Sequence, residues 1–293
     1  MDVQVSVPAT SANLGPGFDC LGVALGIYLR IRFTSAPRSE IAGVGRHHPL
    51  DRNLTYRSFV SAYERAGKRA PAVRLETLED YPSARGLGAS ASAIVAGLTA
   101  ARWIGQLDLS DEALAEIATD IEGHPDNVLP ALVGGLVLSL PTGWLRLEPT
   151  TAISPLLLVA REKFKTGKAR RVLPPEVSRE DAVAAASAAS ALVAVLAGRA
   201  GAEWLMPGTE DRLHEPYRLP LMPETMKLRQ ELRQAGVATA LSGAGPSLIS
   251  LVESQGKDRA AAVITTLLPQ GWTLLSPGWD MEGAKVRNSS MPD

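Results

Sequence analysis

The stretch that most constrains this chain is Pro82, Ser83, Ala84, Arg85, Gly86, Leu87, Gly88, Ala89, Ser90, Ala91 and Ser92, which runs without a break into residues 94–103. Gly86 and Gly88 permit backbone conformations that a Cβ forbids and let another group come close. The residues after them are small, and residues 94–103 have the propensity and apolar spacing of a buried helix. A glycine turn that opens a helix aims unpaired N–H groups and the positive end of the helix dipole at one spot. That spot suits an anion, most often phosphate. The stretch is not a Walker loop, because no GxxxxGK[ST] is present. Nor is it GxGxxG, because position 91 is Ala and no strand leads straight into Gly86. Taken alone, the same residues read better as a tight turn capping a helix than as an anion site, and the rest of the chain has to move that balance.

A chain of 293 residues implies about two domains or lobes. The net charge of −1 gives no basis for nucleic acid or an acidic membrane as partner. The single cysteine, Cys20, excludes an internal disulfide framework and fits a reducing compartment; its apolar neighbours make it an expected core filler. Met1, Asp2, Val3 and Gln4 do not read as a secretory leader, and the apolar run 182–197 is too short and too serine-broken for a bilayer span. A soluble cytoplasmic protein is expected.

Residues 3–7 alternate as a strand ended by Pro8, and 21–33 form a second strand. Between them lies a loop of glycines, proline and short polar side chains, which is either a structural turn or a ligand-facing wall. Asp51 or Asn53 caps a helix, residues 72–78 form a strand, and Ser110 caps a helix from Ala113 to about Ile121. Adjacent His47 and His48 have no partner cluster for a metal. Glu122, Gly123, His124, Pro125, Asp126 and Asn127 form a dense polar turn before a strand-like run, 132–140. Polar groups against buried strands must be hydrogen-bonded or used. The pattern changes around 149–155, which sets the expected division: 1–150 and 151–293. Residues 156–160 form a buried strand. Lys163, Lys165, Lys168, Arg170 and Arg171 lie in a basic loop, either a solvated face or a match for an anionic ligand. Residues 179–199 form an alanine-rich helix, and 223–234 another. Residues 238–251 read as strand, glycine turn, strand, with a helix (258–268) and a strand (272–276) to close.

Together the segments 7–19, 82–92 and 241–247 resemble the three motifs of the GHMP small-molecule kinases. The wording of 8–19, of Glu122 to Val128, of 168–174 and of Glu215, Pro216, Tyr217 and Arg218 is similar to the branch of that family that phosphorylates L-homoserine. The resemblance spans residues 3 to about 252. It implies a two-lobed α+β fold, with an N-terminal ATP-binding lobe like ribosomal protein S5 domain 2 and a ferredoxin-like C-terminal lobe. It also implies a homodimer, and transfer of the γ-phosphoryl group of ATP to the homoserine hydroxyl on the way to threonine.

The resemblance further implies roles by position. ATP phosphates would lie on residues 82–92, with Asn53 near the adenine. Ser90 and Glu116 match Mg²⁺ ligands, with Glu122 as the second choice of carboxylate. Asn13, Asp19, His124, Asp126 and Asn127 match positions around the homoserine, with Asp19 suited to the ammonium. Arg170 and Arg218 match a grip on the carboxylate, where a guanidinium fork fits best, and Thr166 lines the same pocket. Asp126 takes a positioning role with scope for accepting a proton. The chain departs from the pattern at Ala89, where a serine is usual, and at Ala185, where Asn is common. Two alternatives stand beside this reading: a mevalonate kinase-like enzyme, which would usually carry lysine where Thr10 stands, and a catalytically silent binding protein of the same fold.

Overall fold

The computed structural model describes residues 1–43, 49–164 and 166–288, with the side chain of Thr166 outside that description; His47 and His48 lie outside the described residues. β1 (Asp2–Asn13) and β2 (Gly17–Ser35) form a long antiparallel pair. Val3, Val5 and Val7 are buried at every second position, so one face of β1 meets the core. The strand does not end at Pro8. A register shift between Pro8 and Ala9 absorbs the proline, and β1 continues to Asn13. The same alternation corrects Cys20: Leu21 points inward, and the preceding Cys20 is exposed rather than core filler.

β3 (Glu40–Ala42) and β4 (Val73–Glu79) extend the sheet beyond the C-terminal half of β2, with β3 parallel to β4. Four helices cover the sheet: α1 (Leu54–Arg65), α2 (Ala89–Gly105), α3 (Asp111–Glu122) and α4 (Pro125–Val133). α2 and α4 pack on β1 and β2, and α1 and α3 pack on those helices. Two caps lie where their residue types predict them. Asn53 Oδ1 accepts from Tyr56 N at 2.9 Å, and Ser110 Oγ accepts from Ala113 N at 3.2 Å. The apolar run 132–140 is not one strand. α4 ends at Val133, Gly134 and Gly135 turn the chain at φ 69° and 73°, and β5 (Leu136–Leu140) then pairs with β2 and with β6 (Gly143–Leu147).

The second lobe begins at β7 (Ile153–Val159). Next come the short α5 (Thr166–Arg171), which makes a helix of most of the expected basic loop, then α6 (Arg179–Leu196), α7 (Leu205–Gly208), α8 (Glu215–Arg218) and α9 (Pro223–Gln234). The strands β8 (Ala238–Leu241) and β9 (Leu248–Glu253), then α10 (Lys257–Leu267) and β10 (Thr273–Leu275), complete the lobe. The sheet is antiparallel in the order β10-β7-β9-β8. The first and third strands lie at its centre, which is the ferredoxin-like arrangement.

The expected division at residue 150 fails for the tail. β11 (Lys285–Asn288) pairs with the outer edge of β1, Trp279 bridges Leu25, and Gly135 N donates to Asp280 O at 2.8 Å. The tail covers an edge of the first sheet that would otherwise be open. One apolar core runs through both lobes, from Val5 and Phe33 to Leu157, Leu192 and Ile249. No helix among the described residues is long and apolar enough to cross a membrane.

Candidate active site

The end of β1 and the turns at residues 86–88 and at Gly243 meet between the lobes and hydrogen-bond to one another. Thr10 N donates to Leu87 O (3.1 Å), Gly243 N to Ala12 O (3.0 Å), and Ser242 Oγ to Gly86 O (2.6 Å). A Cβ on Gly86, at φ 80°, would sit 2.0 Å from Ser242 O, and one on Gly88, at φ 66°, would sit 1.9 Å from Thr10 Oγ1. The glycines are therefore required by the neighbouring protein itself. The turns enclose a cleft of about 510 Å³, lined by residues from both lobes.

At one end of the cleft α2 begins. No side chain caps it, so its first-turn N–H groups and its dipole remain available to an anion. Ser83, Ala84, Gly86, Leu87, Gly88, Ala89 and Ser90 line the cleft there. Pro82 and Arg85 do not. The Arg85 guanidinium donates to Arg161 O at 2.8 Å. Ala91 and Ser92 face inward instead, where Ser92 Oγ donates to Pro8 O at 2.8 Å and meets the Tyr81 hydroxyl at 2.6 Å. The helical turn carries those two positions away from the cleft. Leu29, Ile31, Leu54 and Phe164 supply an apolar wall that motif reading missed. Alternation along β2 already pairs Leu29 with Ile31 on one face.

From Ser90 a polar chain crosses the floor. Ser90 Oγ donates to Glu122, Glu122 Oε1 lies 4.0 Å from His124 Nε2, and His124 Nδ1 is 2.6 Å from Asp126 Oδ1. Asn127 Nδ2 donates to the same Asp126 oxygen at 3.3 Å, and Thr10 Oγ1 donates to Asn127 Oδ1 at 2.8 Å. Burial pushes the Glu122 carboxyl up, against the pull of Ser90 and His124. Burial opposes the His124 imidazolium too, but the hydrogen bond to Asp126 and its charge prevail and raise the pKa. Glu116, the carboxylate expected beside Ser90, is elsewhere. It pairs with Arg65 at 2.8 Å, with both side chains more than half exposed. Glu122 takes its place because it stands at the C-terminal end of α3, just where the chain turns into the cleft.

At the other end Arg170 grips Asp19 with two hydrogen bonds of 2.8 and 2.6 Å, which hold its pKa up. Arg218 reaches the same wall from α8; burial, then the nearby Arg170, pulls its pKa down. Phe18 lies under both guanidiniums, 5.7 Å from Arg170 and 5.1 Å from Arg218. Asn13 lines the cleft, but its amide is already committed: Oδ1 accepts from Asp19 N (3.0 Å) and Nδ2 donates to Gly243 O (2.8 Å). Asn53 lines the opposite end while capping α1. Thr166 opens α5, and its side chain lies outside the described residues.

The cleft can therefore hold an anion on helix N–H groups beside a hydroxyl–carboxylate pair. It can also hold a small molecule bearing charges of both signs at its other end. Comparison with known proteins agrees with that chemistry. The family model for the GHMP kinases N terminal domain matches residues 53–135, and that for GHMP kinases C terminal matches 199–269. The chain is 42% identical to a homoserine kinase of Streptomyces avermitilis over 97% of its own length and 95% of that protein's. It is 38% identical to a homoserine kinase of Synechococcus sp. over 98% and 94%. The crystal structure of a homoserine kinase from Cytophaga hutchinsonii superposes with a TM-score of 0.84 at 25% identity, covering 98% of this chain and 97% of that one. With near full-length likeness on both measures, the chain belongs to the GHMP kinases, in their homoserine kinase branch.

Proposed function

We propose that this cleft binds ATP with its phosphates on residues 83–90 and transfers the γ-phosphoryl group to the side-chain hydroxyl of L-homoserine, giving O-phospho-L-homoserine for threonine synthesis. One observation carries the reading. The uncapped start of α2 and the Ser90–Glu122 pair share a single cleft with Asp19, Arg170 and Arg218. Phosphoryl transfer asks mainly for alignment and charge neutralisation. The alcohol oxygen bonds to the γ-phosphorus as the bond to the β–γ bridging oxygen breaks. His124, Asp126 and Asn127 orient the hydroxyl, and Asp126 is assigned its proton as the reaction proceeds. Arg170 and Arg218 take the carboxylate and Asp19 the ammonium, with Thr166 in the same pocket; the Asp19–Arg170 pair supports this, since each group already prefers a partner of the charge the substrate would bring. A hydroxyl beside a single carboxylate suits Mg²⁺, which keeps water and phosphate oxygens around it; Ser90 and Glu122 would hold the ion, and it would neutralise phosphate charge. A homodimer working in the cytoplasm is the assembly and place expected from the resemblance.

The test is ADP release by the purified protein with ATP and Mg²⁺, comparing L-homoserine, mevalonate, L-serine and no acceptor. Homoserine-dependent turnover that collapses in Arg218→Ala supports substrate and grip together. Turnover with mevalonate alone keeps the phosphate site and sinks the substrate.

A further inference from the structure

Arg218 is the largest fully buried side chain among the described residues, at 1% exposure, yet it lines the cleft. A guanidinium only donates, so whatever accepts from it fixes its direction. Nε donates to Ala169 O at 3.3 Å and Nη1 to His214 Nδ1 at 3.2 Å, while Nη2 has no protein acceptor among the described residues.

The contact with His214 decides the state of that imidazole. Arginine can only donate, so Nδ1 carries no proton. The Gly15 carbonyl, 2.8 Å from Nε2, can only accept, so Nε2 carries one. The remaining surroundings agree. Asp211 Oδ2 lies 3.5 Å from Nε2, but the carboxylate is occupied by the N–H groups of Leu213, His214 and Glu215. Phe18 packs against the ring with centroids 5.4 Å apart. Burial pulls His214 down to about 4 against the opposing charge of Asp211, with Arg218 adding to the fall and Asp19 resisting it.

We infer that His214 is a positioning residue for the substrate: a neutral imidazole, protonated at Nε2, that hooks the Gly15 turn and offers bare Nδ1 to Arg218, leaving Nη2 for the substrate carboxylate. One ring thereby ties the turn carrying Asn13 and Asp19, from the first lobe, to the arginine of the second. The inference rests on reading Arg218 as part of the carboxylate grip.

Steady-state kinetics on His214→Leu, His214→Asn, Arg218→Ala and the His214→Leu/Arg218→Ala double variant test it. Asn keeps an acceptor near the place of Nδ1; Leu keeps only bulk. His214→Leu should raise KM for homoserine about tenfold, the size of one hydrogen bond to a charged group, with KM for ATP unchanged. His214→Asn should recover most of that, and Leu should add nothing in the Arg218→Ala background. An equal rise in both KM values, no rise, or no recovery with Asn overturns the inference while leaving the grip standing, provided Arg218→Ala raises KM for homoserine. An unchanged KM in Arg218→Ala removes the grip, and the inference falls with it. Nitrogen NMR of the unaltered protein at neutral pH decides the tautomer without any variant having to fold. A proton on Nδ1, or an imidazolium, overturns the inference.

Discussion

Glu122 accepts from Ser90 inside the cleft, whereas Glu116, on the same helix, meets Arg65 in solvent. Glu122→Gln should lower kcat by on the order of 100-fold and weaken the dependence on Mg²⁺. Glu116→Gln should leave kcat unchanged and cost no more than about 0.5 kcal/mol. Mg²⁺ titrations of both variants check this, and an inactive Glu116→Gln would restore the residue that spacing favoured. The two glutamates are six positions apart, roughly 240° around the helix axis. Sequence therefore shows that they face different ways, but not which way the cleft lies, because that depends on how α3 packs. His214 is a similar case. Its type and its place before Glu215 are plain in the sequence, but its partners Gly15 and Arg218 become neighbours only in the folded chain. With its pKa lowered from 6.5 to about 4, the unfolded chain takes up this proton first as pH falls. His214 should therefore leave stability untouched above pH 6.5 and reduce it progressively down to about 4, where the loss levels off. Melting temperature against pH, with His214→Asn as control, should show that acid-side loss reduced in the variant.

At the scale of elements, glycine content carried more information than any charged motif. Gly86→Ala places a methyl group 2.0 Å from Ser242 O at φ 80°, so two backbones must part. Gly123→Ala at φ 91° meets nothing within 4 Å. Gly123→Ala should cost on the order of 1 kcal/mol in backbone strain alone. Gly86→Ala should exceed that by about 2 kcal/mol or more and weaken ATP binding; urea denaturation and nucleotide titration measure both. Equal losses would mean the turns are not tightly stitched. The glycine turn opening α2, the helix caps at Asn53 and Ser110 and strands such as β4 and β7 were legible because each depends on local chemistry. The run 132–140 was not, since unbroken apolar sequence fits buried helix and buried strand alike. The passage of β1 through Pro8 was also hidden, because the compensating shift lies in its pairing with β2. Within residues 82–92, composition could not separate cleft-facing Ser90 from inward-facing Ser92; the first turn of α2 decides that.

At the scale of the molecule, the shared core, the stitched turns and the returning β11 leave no clean cut between the lobes. Calorimetry should show one cooperative transition, and residues 1–150 expressed alone should lack a sharp melt, having lost β11 and the second lobe's share of the common core, from Ile153 and Leu157 to Ile249. Two separate transitions would argue for independent lobes. The family fold was legible because its three motifs are spread along most of the chain; the crossing tail was not, because a four-residue strand such as β11 has almost no pattern of its own. The Asp19–Arg170 pair spans the lobes in the same way, with β2 contributing one charge and α5 the other. A ligand that parts these side chains must match both. An amino alcohol without a carboxylate would release Arg170 into nothing, and a hydroxy acid without an ammonium would strand Asp19. Asp19 and Arg170 thus already satisfy each other, and on the proposed reading a half-matched molecule is disfavoured by the lone charge that it would leave behind.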